Sequence, residues 1–360
     1  MTEAIAIAPG RDLLSISRLK AARSCLRYHK LRYLDLYKPA REPDTTRFGS
    51  LVHRGLEAWW LARAADRPTL DAALDAVRGA GEADPFELAK AEVLLIGYDT
   101  RWSDQDYEVL AVEAEFLGPL VNPLTGSESR IWNRGGKIDA IVRERATGRV
   151  LVVEHKTSSE DIRQGSDYWR RLRMDGQVTC YFEGARFLGH DVAGCLYDVI
   201  AKPGIRPSQT VPVLDENGEK IVRDAAGQRV RTKDGKKWRE SADSKQGFVL
   251  QVRDETVQEY RSRLAEAVSE DLGGYFQRGE VARLEADMRE GLLDDWHFAQ
   301  GLRDSIRLER FPRNPDACVR YGRSCEFFDV CTGAAQLDDE QRFVRTAAHP
   351  ELTQLGLPTL

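Results

Sequence analysis

No stretch of the 360-residue chain approaches the roughly 20 consecutive apolar residues that a membrane-spanning helix needs. The opening MTEAIAIAPGRD lacks the basic region followed by an apolar core that marks a secretory leader, so the expectation is a soluble, cytoplasmic protein with no membrane partner. Net positive charge is missing too: 53 Lys and Arg stand against 58 Asp and Glu, a formal charge of -5. Any nucleic-acid contact must then come from local basic patches and not from the field of the whole molecule. There is no G-x-x-x-x-G-K-[ST] loop, which excludes a nucleotide-driven motor, and no internal repeat, which excludes solenoids and propellers. No C-x2-C pair occurs, which separates the six cysteines from zinc ribbons.

What is present suffices for a folded protein. With 42% hydrophobic and 31% charged residues the chain can bury one large core or two modest ones. Without a secretory leader the cysteines are not expected to form a disulfide framework, and metal or cluster ligation becomes their better use. Basic residues concentrate at 23–32, at Arg170, Arg171 and Arg173, and at 220–239. Any one such run alone reads as a solvated surface.

Residues 15–37 have helical periodicity with Ser15 or Ser17 as the cap, which places Cys25 on or near a helix. A second helix begins after Gly49 with His53 in its first turns, and a third covers 84–103. The apolar period then changes from 3.6 to 2. Residues 108–118, 135–145 and 149–157 read as three consecutive strands, the last two joined by Ala146-Thr147-Gly148. A helix at 174–189 and a strand at 193–203 follow. DENGEK, DAAGQR and KDGKK within 204–246 look like hairpin turns, and helical pattern returns at 254–276 and 280–290.

The sharpest constellation is Asp139 in GKIDAIV with Glu154 and Lys156 in VVEHKTS. Alternation along a strand points Glu154 and Lys156 to one face and His155 to the other, and Asp139 on the neighbouring strand can reach the same face. Burying such a trio in apolar strands is costly unless a cation compensates it. Carboxylate oxygens suit Mg²⁺ or Mn²⁺, which also bind phosphate oxygens. An isolated E-x-K is more often a salt-bridged pair on a strand edge. Glu113 adjoins the site, but Glu115 shares its parity and leaves the facing open.

At these residues the sequence resembles the PD-(D/E)XK nuclease superfamily, specifically its RecB-like branch. The resemblance implies an α/β, restriction-endonuclease-like core of helix, three strands, helix and strand, with Asp139, Glu154 and Lys156 as catalytic residues. It makes His53, in GSLVHRGLEAWW, a further metal ligand beside Asp139 and Glu154. Gln177 and Tyr181, the Q-x-x-x-Y element of GQVTCYFEGAR, share one helical face and would bind or orient substrate. Ile138 stands where the superfamily has its eponymous proline, which removes no ligand. Trp169 and Arg171, just ahead of that helix, combine stacking and charge and are the expected strand contacts.

Cys318, Cys325 and Cys331, in ACVRYGRSCEFFDVC, resemble the iron-sulfur segment of AddB-type subunits and CRISPR-associated RecB-like exonucleases. There a leading cysteine joins three C-terminal ones around a [4Fe-4S] cluster, and Cys25 occupies that leading position, with Leu26 where a proline often follows. Zinc is the alternative metal. Cys180 and Cys195 read as inert core thiols. The expected domains are an N-terminal helical segment at 11–47, the nuclease core at 48–203, a basic hairpin or loop insertion at 204–249, a helical cysteine-bearing region at 250–335 and a polar tail at 336–360.

The resemblance implies a deoxyribonuclease, exonuclease more than endonuclease, acting on single-stranded DNA ends in recombination, repair or phage DNA processing. A helicase or a recombination or integration protein would be its partner. The alternatives are a catalytically idle iron-sulfur subunit that binds DNA, and a nuclease of CRISPR spacer acquisition.

Overall fold

The computed structural model describes residues 11–355 except Glu42, Glu82 and Tyr321. The first ten residues and the last five of the expected tail lie outside the described residues. Apolar alternation produces the three expected strands, longer than the sequence suggests: β2 (Tyr107–Val121), β3 (Glu128–Glu144) and β4 (Val150–Ser158), with β5 (Gly194–Ala201) after the helical crossover. β2, β3 and β4 pair antiparallel in sequence order, and β5 lies parallel to β4, a pairing that needs a crossover connection. Two further strands join the sheet from outside the 48–203 span: β1 (Asp12–Ser15), parallel to β3, and β6 (Phe276–Val281), antiparallel to β5. The result is a mixed six-stranded sheet.

Helices cover both faces, in the three-layer manner of α/β proteins. On one side lie α2 (Asp44–Ala64), α3 (Thr69–Arg78), α4 (Pro85–Trp102) and α6 (Val257–Glu270). Their Val52, Leu56, Trp59, Leu95, Tyr98 and Leu264 pack on Ala140, Val142, Val153 and Ile200 of the sheet. On the other side lie α1 (Ile16–Ser24), α5 (Gly176–Phe187) and α7 (Glu285–Arg307), whose Leu19, Val178, Phe182 and Leu302 meet Ile141, Val152 and Val199. Local signals set the starts: Asp84 accepts from Phe86 and Glu87 N–H ahead of Pro85, and Thr256 with Glu259 forms a capping box on α6. No helix among the described residues is long and apolar enough to cross a membrane.

Three departures from the sequence reading have physical causes. The helix expected at 15–37 breaks at Cys25, which is extended (φ -162°, ψ 120°), before a short helix at Leu26–His29 and a π-helical turn at Lys30–Leu34. The break is held from the far end of the chain: Arg27 N–H donates to Pro312 O (3.2 Å) and Asn314 Nδ2 to Ser24 O (2.8 Å). The helix expected to run to 276 is interrupted at Asp271 (φ -136°, ψ 55°), resumes as one short turn at Leu272–Tyr275, and gives way at Phe276 to β6, which pairs with β5. The last helix starts at Glu285 rather than 280 and runs on to Arg307.

Candidate active site

The site lies where one edge of β3 changes partner. β2 occupies the other edge along its length, so β1, paired at Trp132–Gly135, and β4, paired at Ala140–Arg143, must share this one. Lys137, Ile138 and Asp139 fall in the gap between them, where backbone pairing is absent and a side chain can turn into the opening. Asp139 does so: its Oδ2 accepts from the His155 backbone N–H at 2.8 Å. That bond fixes the first carboxylate to the strand that carries the second.

Glu154 and Lys156 share a face of β4 and form an ion pair, as strand alternation predicts. Gln177, in the first turn of α5, donates to Glu154 Oε1 at 2.8 Å and to the Tyr181 hydroxyl at 2.5 Å. The i, i+4 spacing therefore puts both side chains on the face turned to Glu154. His53 reaches in from α2, with Nδ1 3.9 Å from Asp139 Oδ2. The structure thus brings together Asp139, Glu154, Lys156, His53, Gln177 and Tyr181.

Electrostatics are set mainly by burial. Burial and the adjacent Glu154 charge raise the Asp139 pKa well above its ordinary value, against the opposing pull of the His155 amide and Lys156. Burial opposes the Lys156 charge, but Glu154 and Asp139 outweigh it and hold the ammonium above its usual pKa. Burial lowers the His53 pKa, so its imidazole is neutral and has a lone pair to offer. Glu154 is 2% exposed and its Oε2 is a buried acceptor without a hydrogen-bond partner among the described residues. Two buried carboxylates, one with an open oxygen, beside a neutral imidazole form a donor set that fits a hard divalent cation. As placed, no three His, Cys, Asp or Glu side chains among the described residues stand close enough to hold an ion, and Lys156 takes the Glu154 carboxylate instead.

This charge arrangement gives a pH-dependent expectation. An acid whose folded pKa exceeds its unfolded one, about 3.9 for Asp, binds its proton more tightly when folded. Asp139 therefore stabilises the fold below that value, and its contribution is lost as pH rises toward the folded pKa. A cation that neutralises the ionised pair offsets the loss. The increase in thermal midpoint given by Mn²⁺ should grow from about pH 4 to pH 7 and should be smaller, with a weaker pH dependence, in Asp139→Asn. An equal increase at every pH in the unaltered protein would sink this account.

Residues without a sequence signal complete the surroundings. Lys20 of α1 pairs with Asp175 (3.0 Å) and donates to Gln177 Oε1 (3.1 Å), and Asp175 caps α5 by accepting from Gln177 N–H. Behind β4, His155 faces away from Glu154, against Trp60 and Tyr98, with Nδ1 3.5 Å from Asp198. Asp198 accepts from Tyr98 (2.6 Å) and pairs with Arg278 of β6 (2.8 Å), in a network whose Tyr98 and Asp198 are fully buried. Burial carries His155 down to a pKa of about 3, so it stays neutral.

Glu113 resolves the parity question. Its φ of 50° is left-handed, rare for a non-glycine residue, and turns it out of the ladder opposite Asp139. It forms an ion pair with Lys137, whereas Glu115 accepts from the N–H groups of Thr353, Gln354 and Leu355 and ties down the tail.

Trp169 is not brought to the site. Its indole N–H donates to Ile162 O (2.6 Å) and its ring packs against Gly279 of β6, so burial engages the surface expected to stack on bases. Arg171 is exposed, pairs with Glu160 (2.6 Å) and lies 5.7 Å from the Tyr168 ring.

Cys25, Cys318, Cys325 and Cys331 line one small cavity with Tyr28 and Phe327, although the first two lie 293 positions apart in sequence. Asn314 N–H donates to Cys25 Sγ (3.4 Å), and Cys318 Sγ donates to Asn314 O (3.5 Å). Burial and neighbouring thiols raise the pKa of Cys325 and Cys331. Cys180 and Cys195 are fully buried in the main core.

Comparison with known proteins places these observations. The profile of the PD-(D/E)XK nuclease superfamily matches residues 13–332. No curated protein matches the chain. Among solved structures, one from Eubacterium rectale described as a candidate exonuclease is 12% identical, over 76% of this chain and 86% of that one, with a TM-score of 0.32. SSO0001 is 14% identical, over 71% and 83%, with a TM-score of 0.20. Likenesses this slight have no bearing on the site.

Proposed function

Because the chain belongs to the PD-(D/E)XK nuclease superfamily, we propose that it is a divalent-metal-dependent deoxyribonuclease of the RecB-like branch that hydrolyses DNA from single-stranded ends. The observation that carries this reading is the meeting of Asp139, Glu154, Lys156 and His53 at the gap in the β3 edge, with Gln177 and Tyr181 tied to Glu154. Asp139, Glu154 and His53 would hold Mg²⁺ or Mn²⁺. Bound there, the cation supplies charge neutralisation at a phosphate and a water of lowered pKa. Lys156, held cationic by its neighbours, orients the attacking oxygen and offsets charge on the phosphate. Gln177 and Tyr181 fix the Glu154 rotamer, and through it the position of substrate.

We further assign Cys25, Cys318, Cys325 and Cys331 to a [4Fe-4S] cluster. Their sharing of one cavity supports it, and four thiolates form a complete ligand set. The absence of a phosphate loop in the sequence makes a helicase, or a recombination or integration protein, the natural partner.

The test uses anaerobically purified protein with Mg²⁺ or Mn²⁺ on end-labelled linear and circular single-stranded DNA. Loss of the linear form alone, with a ladder growing from one end, is the expected result. Cleavage of circles makes the enzyme an endonuclease, and binding without cleavage of either makes it an idle DNA-binding subunit.

A further inference from the structure

The insertion between β5 and α6 contributes nothing to the site described above, yet it is built on one repeated plan. Turns at 215–218, 224–227 and 232–235 each end on a glycine with φ near the left-handed region (78°, 79° and 68°). In each, the glycine N–H donates to the carbonyl of the opening residue at 2.9–3.0 Å. An aspartate side chain braces every turn by accepting backbone N–H groups, Asp215 and Asp224 in the first two and Asp234 in the third.

The backbone plan is shared and the charge is not. The first turn carries Asp215, Glu216 and Glu219 against Lys220, and the second sets Asp224 beside Arg223. The third carries Lys233, Lys236 and Lys237 against Asp234 alone. All three lysines are exposed, and among the described residues their ammonium groups have no ion pair or hydrogen bond.

The arginines of the same hairpin are engaged in holding it. Arg229 and Arg231 lie 4.3 and 4.1 Å from the centre of the Trp238 ring, and Arg231 and Trp238 face each other across the ladder. Arg229 also pairs with Asp215 (2.6 Å), and Arg239 with Asp243 (3.0 Å). Stacking of this kind stiffens a short hairpin. The lysines are thus displayed on a braced support.

Position completes the case. The insertion leaves β5 at Ala201, which is level with Ser158, while Lys156 is level with Val199. The arm therefore emerges from the end of the sheet where Lys156 stands. We propose that the 232–237 turn grips the sugar-phosphate backbone of DNA beyond the cleaved bond, a proposal that rests on the nuclease reading for its ligand. Three hydrated point charges suit evenly spaced phosphates and carry no sequence information, while the one neighbouring ring, Trp238, is taken up by Arg229 and Arg231. A membrane surface calls for an apolar face, which residues 232–237 lack.

The experiment measures binding of a labelled single-stranded 30-mer in chelator, where hydrolysis does not intervene, across a salt series. Each phosphate contact on a single strand contributes about 0.7 to the slope of log affinity against log salt, so the triple change Lys233→Gln, Lys236→Gln, Lys237→Gln should lower that slope by about 2. Affinity should fall about tenfold or more at moderate salt. The triple Lys→Arg protein keeps the charge and should restore both, which separates a charge effect from a folding defect. An unchanged slope overturns the proposal. So does an intact slope accompanied by lost binding to phosphatidylglycerol vesicles, which would assign the turn to a membrane surface. Failure of the nuclease reading has a different signature, DNA binding with no cleavage when Mg²⁺ or Mn²⁺ is supplied, so the two ideas can fall separately.

Discussion

Replacing Lys156 by alanine is expected to lower single-turnover DNA cleavage by about 100- to 1000-fold, the usual loss when one preorganised charge is removed from a phosphoryl or acyl site. The loss should appear in the rate constant rather than in DNA affinity, because the residue acts on charge that develops during reaction. The fold should survive. Lys156 is a third exposed, and Gln177 still holds Glu154 after the ammonium is gone. Glu154→Gln makes the informative contrast: it keeps the shape, removes the charge that would hold the cation, and should lose metal affinity together with rate. Calorimetric titration with Mn²⁺ separates the two variants, and a Lys156→Ala enzyme within about threefold of the parent would remove Lys156 from the mechanism.

The second large effect is expected at Cys25. If the proposed cluster is present, Cys25→Ser should abolish its visible absorbance and lower the thermal midpoint while leaving Mn²⁺ affinity intact, since no cysteine of the set is among the partners of Asp139 or Glu154. Closing a loop of 293 residues is worth on the order of 5 kcal/mol in a chain-entropy argument. The structure makes the real loss smaller. Tyr37–Pro39 pairs antiparallel with Phe343–Arg345, Tyr28 and Leu31 pack on Phe327, and Arg23 pairs with Asp295 at 2.8 Å, so the ends stay joined without the cysteines. A drop of about 2–3 kcal/mol in unfolding free energy is expected. Unchanged absorbance in the variant would mean that Cys25 is not a ligand.

What could be read in advance follows a physical divide. Strand alternation placed Glu154 and Lys156 together and His155 behind them, because a period of two is imposed by the backbone itself. Helical spacing likewise joined Gln177 to Tyr181. Glu113 was unreadable because a left-handed residue breaks the alternation that parity assumes. Cys25 lies beside a helix as read, but the break there was unreadable because the hydrogen bonds that hold it come from residues 312–314, nearly 300 positions away. Trp169 shows a related limit: its ring suits stacking on bases, but its place against Gly279 depends on β6, a strand that falls in the gap between the helices expected at 254–276 and 280–290. The grouping of the candidate site's side chains was legible where spacing is local, and β1 and β6 were not, because they are short and only pairing makes them strands.

That late strand bears on how the molecule is made. β5 is apolar along nearly its whole length, and the edge it offers away from β4 is covered only by residues 276–281. During synthesis, at about 5–20 residues per second, this edge stays bare for several seconds after β5 has left the ribosome. The same strand delivers Arg278 to Asp198, so until it docks a carboxylate destined for the interior has no cation beside it. Completion of the sheet and neutralisation of its buried charge are therefore one event, and until then the nascent chain offers an apolar edge that can pair with other chains.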